Sequence, residues 1–251
     1  MCTVVILRRP GHDWPLILAA NRDEMTDRPW RAPGRHWQDR AEVTAGRDEL
    51  AGGTWLGLND WGVIAGVLNR PGSLGPDADL RSRGELPLEA LDHAEAAAGA
   101  KALASIDPAG YRSFNLVIAD ATQAFWLSSP GGGARVRAEP IPEGLSMITA
   151  HNLNDDASPR IRRYRPKFEA APPPDPKTGD WAAWQALMGD RREDSEAEEK
   201  GSMTIVTDKA FATVSSSLLA LPAPALRDVK PHWLFAPGRP GETAYEAVEF
   251  Q

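Results

Sequence analysis

Apolar and polar positions along the chain change period in a way that separates strands from helices. Residues 3–7 form a β-branched run and residues 16–20 a second, with Pro10-Gly11-His12-Asp13 as turn chemistry between them, so the two predict a hairpin. Residues 54–58 and 63–68 make another pair around Asn59-Asp60-Trp61-Gly62, again a turn sequence. From 84 to 103 the period lengthens. Leu86, Leu88, Leu91, Ala94 and Ala98 recur at helical spacing, and the Ala-rich continuation predicts one or two packed helices. Strand patterning returns at 114–119, 124–127 and 145–149, with a glycine loop at 131–133.

The last third is more punctuated. Residues 159–170 predict a basic helix ended by Pro172-Pro173-Pro174, and 181–188 a short helix with Asp180 as its N-cap. Arg160-Ile161-Arg162-Arg163-Tyr164-Arg165 reads as a solvated helix face. Residues 190–201 are dense in charge and nearly free of apolar side chains, which predicts a mobile solvated loop. Strands are expected at 203–207, 213–219 and 246–250. Strands in hairpins and helices in separate blocks predict an α+β layered fold, read as one domain over 1–251.

Composition narrows the partners. The chain has 251 residues, 42% of them hydrophobic, enough for a substantial core. No apolar run approaches the roughly 18 residues of a membrane span. Arg8, Arg9 and Pro10 interrupt the first apolar stretch too early for a signal peptide. A single cysteine excludes an internal disulfide framework and points to the cytoplasm. The net charge of −7 gives no global attraction to nucleic acid or anionic membrane, leaving small molecules or proteins as partners. The five histidines are scattered without zinc spacing.

That one cysteine is Cys2. Removal of Met1 would make it the N-terminal residue, with a thiol of pKa about 8.5 beside an α-amine of about 8. The amine then serves as base for its own side chain. The alternative is a small apolar residue opening a buried strand. Asn21-Arg22-Asp23-Glu24 follows the second predicted strand, and such a polar run is either a solvated turn or part of a site. An antiparallel hairpin returns this run towards residue 2. There Arg22 would lower the thiol pKa and Asp23 would hold the amine.

Met1-Cys2-Thr3 with Asn21-Arg22-Asp23-Glu24 resembles the NRDE family, also called the transport and Golgi organisation protein 2 family. The resemblance continues in Trp55-Leu56-Gly57-Leu58-Asn59, in Gly62-Val63-Ile64-Ala65-Gly66-Val67-Leu68-Asn69-Arg70 and in Ser82-Arg83-Gly84-Glu85-Leu86. It reappears at Phe114-Asn115-Leu116 and His151-Asn152-Leu153. That family is similar to the cysteine-type N-terminal-nucleophile (Ntn) hydrolases. The resemblance implies a four-layer αββα sandwich, with Cys2 as nucleophile, Arg22 and Asp23 positioning it, and Asn69 and Asn152 stabilising the oxyanion. Asn21, Glu24, Trp55, Trp61 and His151 complete the expected site as substrate-binding residues, although Asn59 and a strand-end His151 also suit purely structural roles. Val214 stands where many relatives carry an arginine. Two functions follow as expectations: an amidohydrolase acting on a small amide with no required cofactor, or a carrier of haem or another amphipathic ligand.

Overall fold

The computed structural model describes residues 2–73, 75, 77–191 and 201–250. Most of the charged loop expected at 190–201 lies outside the described residues. In chain order the strands are β1 (Thr3–Arg8), β2 (Leu16–Met25), β3 (Trp30–Gly34), β4 (Val43–Asp48), β5 (Leu56–Asn59) and β6 (Ile64–Asn69). Helices α1 (Glu85–Leu91) and α2 (Ala96–Ala104) follow, then β7 (Phe114–Ala119), β8 (Ala124–Ser129), β9 (Arg137–Pro140) and β10 (Gly144–Ile148). Helices α3 (Pro159–Ala170) and α4 (Ala182–Met188) precede β11 (Phe211–Leu221), β12 (His232–Ala236) and β13 (Glu246–Ala247). No described helix is long and apolar enough to cross a membrane. The chain divides into two compact units, one of Met1–Asp27 with Pro142–Val248, the other of Arg28–Ile141 with Glu249–Gln251.

The first unit is built on an antiparallel sheet in the order β10-β1-β2-β11-β12-β13. The expected hairpin is there, with Thr3 opposite Asn21 and Arg8 opposite Leu16. Register fixes the faces, because residues directly opposite each other point the same way. Val5, Ala19, Met147 and Leu218 share one face and pack under Ile161, Tyr164 and Phe168 of α3 and Trp184 and Met188 of α4. Phe168 and Trp184 meet edge to face at 5.2 Å. Val4, Ile6 and Leu18 on the other face are buried too, which is why β1 and the start of β2 read as unbroken apolar runs.

The second unit carries a seven-stranded antiparallel sheet in sequential order from β3 to β9. Helices α1 and α2 pack on it through Leu86, Leu88, Leu91, Ala96, Ala100 and Leu103. The single helical phase expected across 84–103 breaks between the two helices. Ala94 and Ala98 are consequently exposed, while Ala96, Gly99 and Ala100 turn inward. Gly46 lacks a side chain for a steric reason: a Cβ there would meet the Trp55 indole at 2.3 Å.

Several sequence expectations are corrected. β2 runs on to Met25 because β11 pairs with it along its whole length, so the polar run Asn21–Glu24 is strand, not a post-strand turn. Residues 203–207 form no strand; a single bridge joins Val206 to Ala212. Strands β3, β4 and β9 arise in segments whose Pro, Arg and Gly content hides alternation, and β12 (His232–Ala236) is a further strand not expected from sequence. The N-cap of α4 is Trp181, though Asp180 still accepts from the Ala182 amide.

The Asn59 turn is local chemistry made global. The Asn59 side chain accepts from the amides of Trp61 and Val63 and donates to the carbonyls of Leu91 and His93, so it ties the β5–β6 turn to the end of α1. Gly62 closes the turn at φ +84°, in the left-handed region. Asn59 is 3% exposed, and its loss strands buried backbone groups. Asn59→Ala is expected to cost about 2–4 kcal/mol of stability in a denaturant titration, with Asn59→Asp no milder because it removes both donors.

Candidate active site

The polar run survives inside a sheet because each member has a defined partner. Asn21, 1% exposed, donates from Nδ2 to the carbonyls of Met188 and Met203 at 3.0 and 3.1 Å, anchoring the chain after α4 to β2. Asp23 lies on the same helix-side face. Its Oδ1 accepts from the Thr213 hydroxyl at 2.6 Å, and its Oδ2 accepts from Nη1 of Arg160 at 3.2 Å. The same Nη1 donates to the hydroxyl of Thr3. Arg22 and Glu24 alternate to the opposite face and form an ion pair at 3.7 Å, with the arginine side chain 5% exposed.

Cys2 opens β1 immediately before Thr3. Continuing the Thr3–Asn21 register by one residue sets Cys2 across from Arg22, on the face of Val4 and Ile6. The thiol reaches the backbone carbonyl of Asp23 at 3.7 Å, a weak S–H donor contact. Cys2 is half-buried by accessible surface, yet packed densely enough that burial is the largest influence on its thiol. Burial and then the Asp23 carboxylate push the thiol pKa up. The terminal amine, a backbone hydrogen bond from Asp23 that favours the thiolate and, last, Arg22 pull it down without reversing the shift. Arg22 lowers the thiol pKa, in the direction expected from sequence, but burial and the Asp23 carboxylate outweigh it.

The remaining residues named from sequence fall in different places. Asn152 is exposed in the turn after β10, where its carbonyl accepts from the Asp155 amide, and His151 beside it is half-buried. The turn itself is held by Asn154, at φ +56°, whose side chain accepts from Met147 and donates to Ser146. Asn69 ends β6 in the second unit, opposite Phe114. Trp55 stacks edge to face on Trp30 at 5.9 Å, and Trp61 is 55% exposed. Val214 sits in a bulge of β11 between Thr213 and Ser215. Among the described residues, no group of three or more His, Cys, Asp or Glu is arranged to hold a metal ion.

Arg160 was read from sequence as part of a solvated helix face, and that is overturned. The Arg160–Asp23 pair has side-chain exposures of 4% and 0%, making it a fully buried ion pair. Its signal in the sequence was faint. Ser158-Pro159 marks a helix start, and an arginine in the first turn opposes the helix dipole unless something else holds it.

Comparison with known proteins identifies the fold and the family. A variant of the conjugated bile acid hydrolase of Clostridium perfringens superposes with a TM-score of 0.54 and 12% identity, over 99% of this chain and 92% of that one. Penicillin V acylase of Agrobacterium tumefaciens gives 0.51 and 14%, over 94% and 83%. The chain thus has the Ntn-hydrolase fold, the αββα class expected from sequence. The bovine Transport and Golgi organization protein 2 homolog is 38% identical over 110 residues, 42% of this chain. The human homolog is 36% identical over 114 residues. These matches span about two-fifths of the relatives' own length, 38% and 40%. The family model for Transport and Golgi organisation 2 matches residues 1–221, and the chain belongs to that family.

Proposed function

We infer that this protein is an N-terminal-cysteine amidohydrolase that acts on a small amide once Met1 has been removed. One observation carries the reading: Cys2, at the head of β1, has a carboxylate and a cation from one neighbouring strand bearing on its thiol. Support also comes from the shared fold, since the similar structures are by name a hydrolase and an acylase.

The chemistry uses the terminus alone as nucleophile and base. The free α-amine takes the Cys2 thiol proton as sulfur attacks the amide carbonyl carbon. The C–S bond forms, the C–N bond breaks, and the amine returns the proton to the departing nitrogen. Water then hydrolyses the thioester with the same amine as base, releasing the acid. Asp23 orients the amine, and Arg22 offsets negative charge on the thiol face. Asn152 is the oxyanion donor assigned from the same unit, a role whose loss costs about 10²–10³ in rate.

Intact mass of the purified chain is expected to lack the initiator methionine, and the Cys2→Ala variant to lose on the order of 10³-fold or more of wild-type turnover on a panel of N-acyl amides. Equal rates for the two proteins would end the amidohydrolase reading. Haem titration followed by absorbance and tryptophan quenching tests the carrier reading, and a wild-type-like response in Cys2→Ala would assign that binding elsewhere.

The pH dependence has a definite sign. With Met1 retained, the thiol is raised, so its thiolate appears only above the ordinary thiol range. Removing Met1 brings the ammonium onto Cys2 itself, and a nearer cation favours thiolate. Alkylation by iodoacetamide, followed as rate against pH, is expected to titrate at lower pH in the processed chain than in a Met1-bearing form. Coincident curves would mean the terminal amine does not reach the thiol.

A further inference from the structure

The geometry points to Arg160 as the positioning residue of the N-terminal cysteine: its buried guanidinium bridges Thr3 to Asp23, fixes the carboxylate beside the terminus and supplies the positive charge that balances it.

Three observations converge on it. The first is place. Arg160 is in the first turn of α3, where the helix dipole disfavours a cation, and its side chain leaves the helix to reach residues 137 and 157 positions away in sequence. The second is grip. Asp23 is held at both oxygens, by Arg160 and by Thr213, while its backbone carbonyl meets the thiol of Cys2. Thr3, the other acceptor of Arg160, is the residue directly after Cys2, and it too is fully buried. The guanidinium therefore ties both the residue that follows the nucleophile and the carboxylate that acts on it. The third is energetic. A buried ion pair is weak evidence for stability, because desolvation offsets much of the attraction and an apolar replacement is often as good. At the head of β1 the pair's effect is on the charge around Cys2, since Asp23 bears on its thiol.

Arg160 contacts Asp23 and Thr3. It acts through Asp23 and Thr3. Removing its positive charge leaves the Asp23 carboxylate less compensated, and every nearby acid, thiol or ammonium, then holds its proton to higher pH.

The role of Arg160 in catalysis rests on the proposed function, but its effect on Cys2 is read without turnover. Cys2 is the only cysteine, so iodoacetamide alkylation of the full chain, with its N-terminus defined by intact mass, reports one thiol. Arg160→Met is expected to move the midpoint of the rate–pH curve up by about one unit, and Arg160→Lys, which keeps the charge, by less than half of that. Thr3→Val, which loosens the guanidinium without removing it, is expected to shift it slightly in the same direction. A purely structural arginine would give Met and Lys variants equal curves, and that result, or superposition of Arg160→Met on wild type, overturns the proposal. If circular dichroism shows Arg160→Met unfolded, Arg160→Lys and Thr3→Val decide: two curves identical to wild type overturn it. Should no amide be turned over while the shifts occur, the amidohydrolase reading fails and the Arg160 assignment stands.

Discussion

A carboxylate with no solvent exposure cannot sit unpaired in a protein interior, and Asp23 organises the head of the first sheet around that constraint. Its two oxygens collect Thr213 from β11 and Arg160 from α3, and Arg160 in turn collects Thr3 from β1. Three strands and a helix are thereby fixed at one point by groups whose separation would leave charge stranded. Neighbouring Asn21 adds a second tether on the same face, holding the chain after α4 to β2. The polar run is thus a seam that locks the sheet to its helices. The same locking determines where the chain's first residues lie.

That seam explains what the sequence could and could not reveal. Elements whose cause is local were legible: the β1–β2 hairpin, the Asn59 turn with its Gly62, and α3 behind Ser158-Pro159. Asn21–Glu24 looked like a turn because four polar residues carry no alternation, and only pairing with β11, nearly two hundred residues away, makes them strand. Arg160 was misread for the same kind of reason. Helical periodicity sorts apolar from polar positions, and it has no means of recognising a guanidinium whose carboxylate belongs to a distant strand. One or two helices were expected across 84–103 and two form, but the apolar spacing was carried through the break between α1 and α2, which put the exposed Ala94 and Ala98 on the packed side. Hairpin geometry put Arg22 and Asp23 near Cys2, and both bear on its thiol.

The charges around Cys2 also discriminate between ways of activating a thiol. In a cysteine–histidine arrangement an imidazolium stabilises a standing thiolate, and the thiol pKa falls. Here burial and Asp23 raise the thiol pKa more than the terminal amine and Arg22 lower it. A neutral thiol needs a base that is itself free of its proton near working pH, and an α-amine with an ordinary pKa of about 8 meets that condition better than a carboxylate or a guanidinium. The carboxylate raises the thiol and also favours the ammonium, so left alone it would hold both protons in place. A fixed positive partner for Asp23 moderates this, and Arg160 is paired with that carboxylate. In the proposed mechanism, activation of Cys2 by its own amine and burial of the Arg160–Asp23 ion pair draw on the same arrangement of charge.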